Sequence, residues 1–286
     1  MFPDPILVIS KGDPPLSINL YGICIAVGIL ACFWVLYFYT KKRGMPTKVQ
    51  DFIFFIAIVA IAVGFLAAKF YQAVYNWVDT GVFDFYSAGI TVMGGLIGGA
   101  AAFLGAYFGI GYFYFKGNEK NLHVKHFNTL LCVAPICIVV AHAFGRLGCL
   151  AAGCCHGAYL GKEYVFGGIY MKGTTNGWGY YVPTQLYEAL FLFALFSVLT
   201  LLYFKKCNII LAIYLIAYAF WRMFIEFFRT DARGAMVLGL APSQWQSVVF
   251  LIIGIALLVF YYFKKIPFFL PKMIEEESEE KKVETE

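Results

Sequence analysis

Seven long apolar stretches, separated by short segments that hold nearly all of the charge, constrain this chain more than any other feature. An α-helix rises 1.5 Å per residue, so about 20 apolar residues cross the ~30 Å hydrocarbon core of a bilayer. Stretches of that kind run near 18–39, 51–75, 90–115, 129–148, 183–204, 208–228 and 245–263. In lipid no water is available to backbone amides, so each stretch must satisfy its own as a helix. Composition agrees: 14% of the 286 residues are charged and 61% are hydrophobic, whereas a soluble domain carries about 25% charged residues. The expected fold is therefore all-α, a polytopic membrane protein with seven transmembrane helices. Residues 1–265 form the membrane domain, and 266–286 form a charged cytoplasmic tail without apolar periodicity, expected to be disordered. The first seventeen residues lack a basic segment followed by an apolar one, so the first span is expected to serve as an uncleaved anchor.

The connections fix an orientation. Lys41, Lys42, Arg43 and Lys48 follow the first span; Lys116, Lys120 and Lys125 follow the third; Lys205 and Lys206 the fifth; Lys264 and Lys265 the seventh. The loop after the second span carries Asp79 and Asp84 and no base. Positive loops stay inside, which places the N-terminus outside and the C-terminus in the cytoplasm. The net charge of +5 is thus explained by topology. No long basic run or aromatic-interleaved basic face is present, and nucleic acid is not an expected partner.

With that orientation, the polar residues of the spans gather towards the outer leaflet. Tyr21 opens the first span; Lys69 lies near the outer end of the second; Met93, Gly94 and Gly95 open the third; His142 and Arg146 lie in the outer half of the fourth. Gln185, Tyr187 and Glu188 open the fifth, and Arg222, Glu226 and Arg229 climb outward in the sixth. A charge at the bilayer centre costs at least ~2.5 kcal/mol, so such residues are paired or functional. Spacings of four and three put Arg222, Glu226 and Arg229 on one helix face, and His142, Arg146 and Cys149 on another. Two arginine-bearing faces in one leaflet suit a lipid phosphate, whose oxygens guanidinium binds in pairs. A plainer reading is that Arg222 and Glu226 neutralise each other and Arg146 snorkels to headgroups.

Of the eight cysteines, Cys24, Cys32, Cys132 and Cys137 lie in apolar spans as small packing residues, and Cys207 sits at a helix entry. Cys149, Cys154 and Cys155, followed by His156, form the one cluster with chemical interest. Adjacent cysteines followed directly by histidine do not match the usual C-x2-C zinc spacing. No metal and no cofactor is called for, and a thiol, metal or disulfide role for this cluster stays open. A transporter would show internal repeats, and none is visible. A structural subunit would use Gly94, Gly95, Gly98 and Gly99 for close helix packing, which leaves the arginines without a purpose.

Several blocks, in order along the chain, resemble one family. Gly145-Arg146-Leu147-Gly148-Cys149-Leu150-Ala151-Ala152-Gly153-Cys154-Cys155-His156-Gly157 is similar to the GRxGNFxNGExxG loop of prolipoprotein diacylglyceryl transferases. Tyr21-Gly22 resembles the family's YG pair, Gly94-Gly95-Leu96-Ile97-Gly98 its HGGLxG stretch, and Pro183-Thr184-Gln185-Leu186-Tyr187-Glu188 its PSQLYE helix entry. Tyr218, Arg222, Glu226 and Arg229 fit its Y-x3-R-x3-E-x2-R pattern, and Ser243-Gln244 falls where it has a similar pair. The resemblance implies a transferase that moves the diacylglyceryl group of phosphatidylglycerol onto the lipobox cysteine of prolipoproteins, in lipoprotein biogenesis. It places that reaction at the outer face of the bacterial cytoplasmic membrane, the side derived above from lysines alone. Partners would be phosphatidylglycerol, prolipoprotein signal peptides and membrane lipid. On this reading Arg146 and Arg222 bind the phosphate and stabilise the departing charge. His142 is the first candidate for the base, with Glu226 or His156 next. Tyr21, Gly94, Gly95, Gly157, Gln185, Glu188, Tyr218, Arg229 and Gln244 contribute to substrate binding. Among the departures from the pattern, Met93 replaces a histidine, Cys149 an asparagine and Cys154 a glutamate. Met93 cannot transfer a proton. These changes are also consistent with a homologue that keeps the lipid site with its chemistry lost or altered.

Overall fold

The computed structural model describes residues 7–8, 17–87, 89–173, 176–229 and 239–265. The expected tail, 266–286, lies outside them, as do the first six residues. A two-stranded antiparallel ribbon, β1 (Leu7–Val8) with β2 (Ser17–Ile18), precedes the helices. The long helices are α1 (Leu20–Lys42), α2 (Thr47–Thr80), α3 (Val92–Tyr114), α5 (Phe127–Ala152), α6 (Thr184–Phe204), α7 (Ile210–Glu226) and α8 (Pro242–Phe263), with the single turn α4 (Leu122–Lys125) before α5.

Among the described residues, six helices are long and apolar enough to cross a membrane: α1, α2, α3, α5, α6 and α8. The sixth expected span, 208–228, falls on α7, which has 17 residues and is not one of these six. That is about 26 Å of helix, a little under the hydrocarbon thickness. It gives way to a turn at Phe227, Phe228 and Arg229, directly after its charged residues. Large apolar side chains face outward along the helices, among them Leu30 (69% exposed), Phe113 (69%) and Leu201 (62%). This is the pattern of a surface whose solvent is lipid.

The chain forms two compact units, residues 37–130 and the remainder. In the first, α2 and α3 pack through small residues. A Cβ on Gly64 would meet the Gly95 carbonyl and Gly99, and one on Gly94 or Gly98 would run into Tyr71 or Ala67. Small residues four apart bring two backbones together in this way. At the basic end of this unit Lys48 pairs with Glu119, and the ring of buried His123 stacks on Phe115 at 5.1 Å.

In the second unit Gly28 of α1 lies against Phe144 and Ala141 of α5, and Gly148 of α5 against Tyr21 and Cys24. Phe191 of α6 stacks on Trp221 of α7 at 4.3 Å, and Gly254 of α8 fits over Leu215 and Ile216. Between α5 and α6 stands a three-stranded antiparallel sheet that hydropathy does not reveal: β3 (Tyr159–Gly161), β4 (Ile169–Gly173) and β5 (Gly177–Tyr181), in the order β3-β5-β4. Met171 and Tyr181 point to its buried face, while Tyr170 and Trp178 stack on the other. The helical class holds, with this small sheet added to it.

Candidate active site

The site is built from the ends of three helices of the second unit. α5 contributes His142 and Arg146 near its C-terminus, α6 contributes Glu188 one turn from its start, and α7 contributes Tyr218, Arg222 and Glu226 near its end. Glu188 is fully buried. A carboxylate there is tolerable only if charge and hydrogen bonds replace the lost water. Both arginines supply charge to one oxygen: Arg146 Nε lies 3.0 Å from Oε2 and Arg222 Nη1 lies 3.6 Å from it. The Tyr218 hydroxyl donates to Oε1 at 3.3 Å, and His142 Nε2 stands 3.7 Å from the same atom.

The single Nε–H of Arg146 is directed at His142 Nε2, 3.3 Å away, so its contact with Glu188 is ionic and not a hydrogen bond. A histidine nitrogen that accepts from a guanidinium carries no proton itself. His142 packs edge-on against Tyr218 at 5.5 Å, which holds the ring in this pose. Arg222 also meets Glu226, Nη2 to Oε2 at 3.2 Å, one turn along the same helix face. Glu188 Oε2, Arg222 Nη1 and Glu226 Oε2 are buried without a hydrogen-bond partner among the described residues. Compensated charge with unspent hydrogen-bonding capacity is what a polar ligand group would complete.

Beyond α5 the chain reverses. Gly153 adopts φ +71°, and the Cys154 N–H returns to the Cys149 carbonyl at 3.1 Å, closing the helix with a left-handed residue. Cys155 follows at φ +62°, a conformation unfavourable for a side chain with a Cβ. Two side chains from the start of α6 hold it there: Thr184 Oγ1 donates to the Cys155 carbonyl at 2.9 Å and Gln185 Nε2 to the Cys154 carbonyl at 2.6 Å. The result is that the sulfurs of Cys149, Cys154 and Cys155 all lie within 4.8 Å of one another, each half-buried. Hydrogen bonds from Cys149 and Cys154 pull the Cys155 thiol well below the usual thiol range, burial opposes this, and the Arg229 and Arg146 guanidiniums add to the lowering. Cys154 is pushed up, first by its hydrogen bonds with Cys149 and Cys155. All eight cysteines are free, so a disulfide in the cluster is not what this structure contains. His156 does not join the sulfurs: Nδ1 lies 2.9 Å from the Gly157 carbonyl and the ring packs on Tyr181 at 4.3 Å.

Arg146, Arg222, His142, Glu226, Glu188 and Tyr218 are thus brought together as one group. Tyr21 stands beside Gly148 and within electrostatic reach of Arg146 and the three cysteines. Gly157 bridges to Arg229, and its own N–H donates to the Val182 carbonyl. Four of the remaining expected residues have structural duties. Gln185 clamps Cys154, as above. Gln244 accepts the Ala241 N–H at 3.0 Å and so caps α8. Gly94 and Gly95 lie in the α2–α3 seam. The Met93 side chain is outside what the structure describes. Sequence reasoning missed that Glu188 is the hub of both arginines and that Thr184 is part of the clamp. The first was within reach, since a carboxylate on a span facing two arginines must pair with something.

Comparison with known proteins covers the stretch of chain that contains these residues. The sequence profile described as "Prolipoprotein diacylglyceryl transferase" matches residues 8–260. The phosphatidylglycerol–prolipoprotein diacylglyceryl transferase of Streptococcus sanguinis (strain SK36) is 30% identical over 274 residues, covering 89% of this chain and 95% of that protein. The enzyme of the same name from Streptococcus pneumoniae (strain ATCC 700669 / Spain 23F-1) is 31% identical over 288 residues, covering 93% and 97%. With a profile match across most of its length and relatives aligned nearly end to end, the chain belongs to the prolipoprotein diacylglyceryl transferase family.

Proposed function

We propose that this protein transfers the diacylglyceryl group of phosphatidylglycerol to the lipobox cysteine thiol of prolipoproteins, on the extracytoplasmic side of a bacterial cytoplasmic membrane. The observation that carries the reading is the meeting of Arg146 and Arg222, from separate helices, on the buried Glu188. Arg222 Nη1, buried and without a hydrogen-bond partner among the described residues, is the donor we assign to a phosphate oxygen. As the glyceryl C–O bond breaks, the leaving glycerol phosphate gains a second negative charge. Guanidiniums already in place stabilise that change without reorganising.

Glu188 and Tyr218 serve to hold the arginines, and His142 orients Arg146 through its Nε2. Glu226 keeps Arg222 aligned along α7. The side of the membrane rests on the basic residues. Lys205 with Lys206 and Lys264 with Lys265 follow the ends of α6 and α8 opposite to Glu188 and Gln244, and positive ends stay in the cytoplasm.

Complementation tests this reading. Expression in a bacterium depleted of its own diacylglyceryl transferase is expected to restore growth and lipoprotein maturation. Failure at normal membrane levels would overturn the assignment in favour of a homologue that binds lipid and does other work.

A further inference from the structure

We propose that Cys149, Cys154 and Cys155 hold a zinc ion whose fourth position receives the acceptor cysteine as a thiolate. The inference rests on the transferase reading for its substrate, and on the geometry of the sulfurs for its site.

A transfer to sulfur needs a thiolate, and the residues beside the arginines are poorly placed to make one. His142 Nε2 is held by Arg146, while Glu188 and Glu226 are ion-paired with arginines. Next to them stand three thiols with sulfurs no more than 4.8 Å apart. Tetrahedral zinc with bonds of about 2.3 Å sets its sulfurs ~3.8 Å apart, so small rotations of the side chains complete the site. Spacing along the chain hides this arrangement, because one ligand comes from the end of α5 and two from the left-handed turn after it.

The turn is held in place independently of any ion. Cys155 keeps an unfavourable positive φ under the paired hydrogen bonds from Thr184 and Gln185, and backbone strain of this kind persists where surrounding structure enforces it. Three protein ligands and an open position are the arrangement of zinc sites that act on a substrate, whereas structural sites close with four. His156 does not fill the fourth position, since it lies outside the sulfur cluster. Zinc with three thiolates carries −1 and with a fourth −2, and the guanidiniums of Arg146 and Arg229 both act electrostatically on Cys155.

In the transfer, the acceptor thiol binds zinc and its proton passes to water, because a thiol coordinated to zinc is deprotonated outright. The sulfur electron pair forms the C–S bond to the glyceryl carbon that bears the phosphate oxygen. The C–O bond breaks and its electron pair leaves with glycerol phosphate. The product thioether is neutral, a poorer ligand than a thiolate, and departs. Nothing is oxidised or reduced.

The test uses the full chain purified in detergent with phosphatidylglycerol, stripped of metal and reloaded with Zn²⁺ or Co²⁺. One zinc per chain is expected. It should be lost when Cys149, Cys154 and Cys155 are replaced together by serine, weakened by each single replacement, and kept in Cys132→Ser and Cys207→Ser. The cobalt form should show a sulfur charge-transfer band that changes with a lipobox peptide and not with its Cys→Ser counterpart. Wild-type protein with no more zinc than the triple variant would overturn the site, as would a stoichiometric disulfide within the cluster. A cobalt band indifferent to the thiol peptide would overturn the open position. Undiminished transfer in the folded triple variant would sink the zinc step and leave the transferase reading standing. A responsive cobalt band without any transfer would support the site and count against that reading.

Discussion

Replacing Glu188 with glutamine removes one charge from the most buried point of the site and leaves two guanidiniums facing each other. At 3.0 and 3.6 Å from Oε2, each arginine is attracted to the carboxylate by about 5 kcal/mol at an effective dielectric of about 20. Part of this offsets the cost of burying Glu188. Breaking a buried pair by removing one partner has a net cost of roughly 3–5 kcal/mol. At about 2–4 °C per kcal/mol for a chain of this size, the midpoint should fall by roughly 10 °C. The protein carries its own reporter. Cys132, Cys137 and Cys207 are buried and the other five cysteines half-buried, so once the half-buried thiols are blocked in the folded protein, a thiol-reactive fluorophore in detergent reads unfolding. Glu188→Gln combined with Arg222→Gln should recover part of the loss, with a coupling of about 1–3 kcal/mol. A Glu188→Gln midpoint within a degree or two of the parent would refute the view that this carboxylate holds the arginines.

The same geometry sets three more outcomes. If His142 orients Arg146 by accepting its N–H, His142→Gln, which keeps an acceptor, should retain most transfer activity, and His142→Ala should lose about tenfold or more; equal loss in both, with an altered pH profile, would restore it as the base. Gly157→Ala would push a methyl against the Phe228 carbonyl and the Thr184 and Val182 side chains, and should cost about 1–3 kcal/mol in the same unfolding assay. Because hydrogen bonds from Cys149 and Cys154 hold Cys155 below the usual thiol range, it is expected to ionise at lower pH than an ordinary thiol in metal-free protein. Its alkylation, followed by peptide mass spectrometry, should therefore change little between pH 6 and 8. An ordinary thiol slows by up to about a hundredfold over that fall.

Among the described residues, hydropathy located every long helix, because apolar length is a property of the chain alone. Ends were less visible. α2 runs from Thr47 to Thr80, well past the expected 51–75, and stops where Gly81 takes a left-handed conformation. α7 is shorter than expected because its last turn is charged and leads into a tight turn. The sheet at 159–181 escaped because its strands are three to five residues long and rich in glycine. Arg146 and Arg222 were legible, since charges in lipid need a reason. Their common partner was not assigned, because pairing depends on how α6 is rotated between α5 and α7. The three thiols look unlike a ligand set along the chain, and only the reversal at Gly153 and Cys155 gathers them. Gln185 and Gln244 show the limit of motif reading, since both positions are matched and both side chains are engaged with backbone.

Direct transfer bears most closely on whether two arginines meet to hold a phospholipid phosphate for attack by sulfur. Purified protein in bilayers containing phosphatidylglycerol is given a lipobox peptide, and peptide mass and released glycerol phosphate are followed together. Equimolar diacylglyceryl thioether and glycerol phosphate are expected, with losses of about 100-fold or more in folded Arg146→Gln and Arg222→Gln. An unmodified peptide, or full turnover in either arginine variant, would be incompatible with that arrangement.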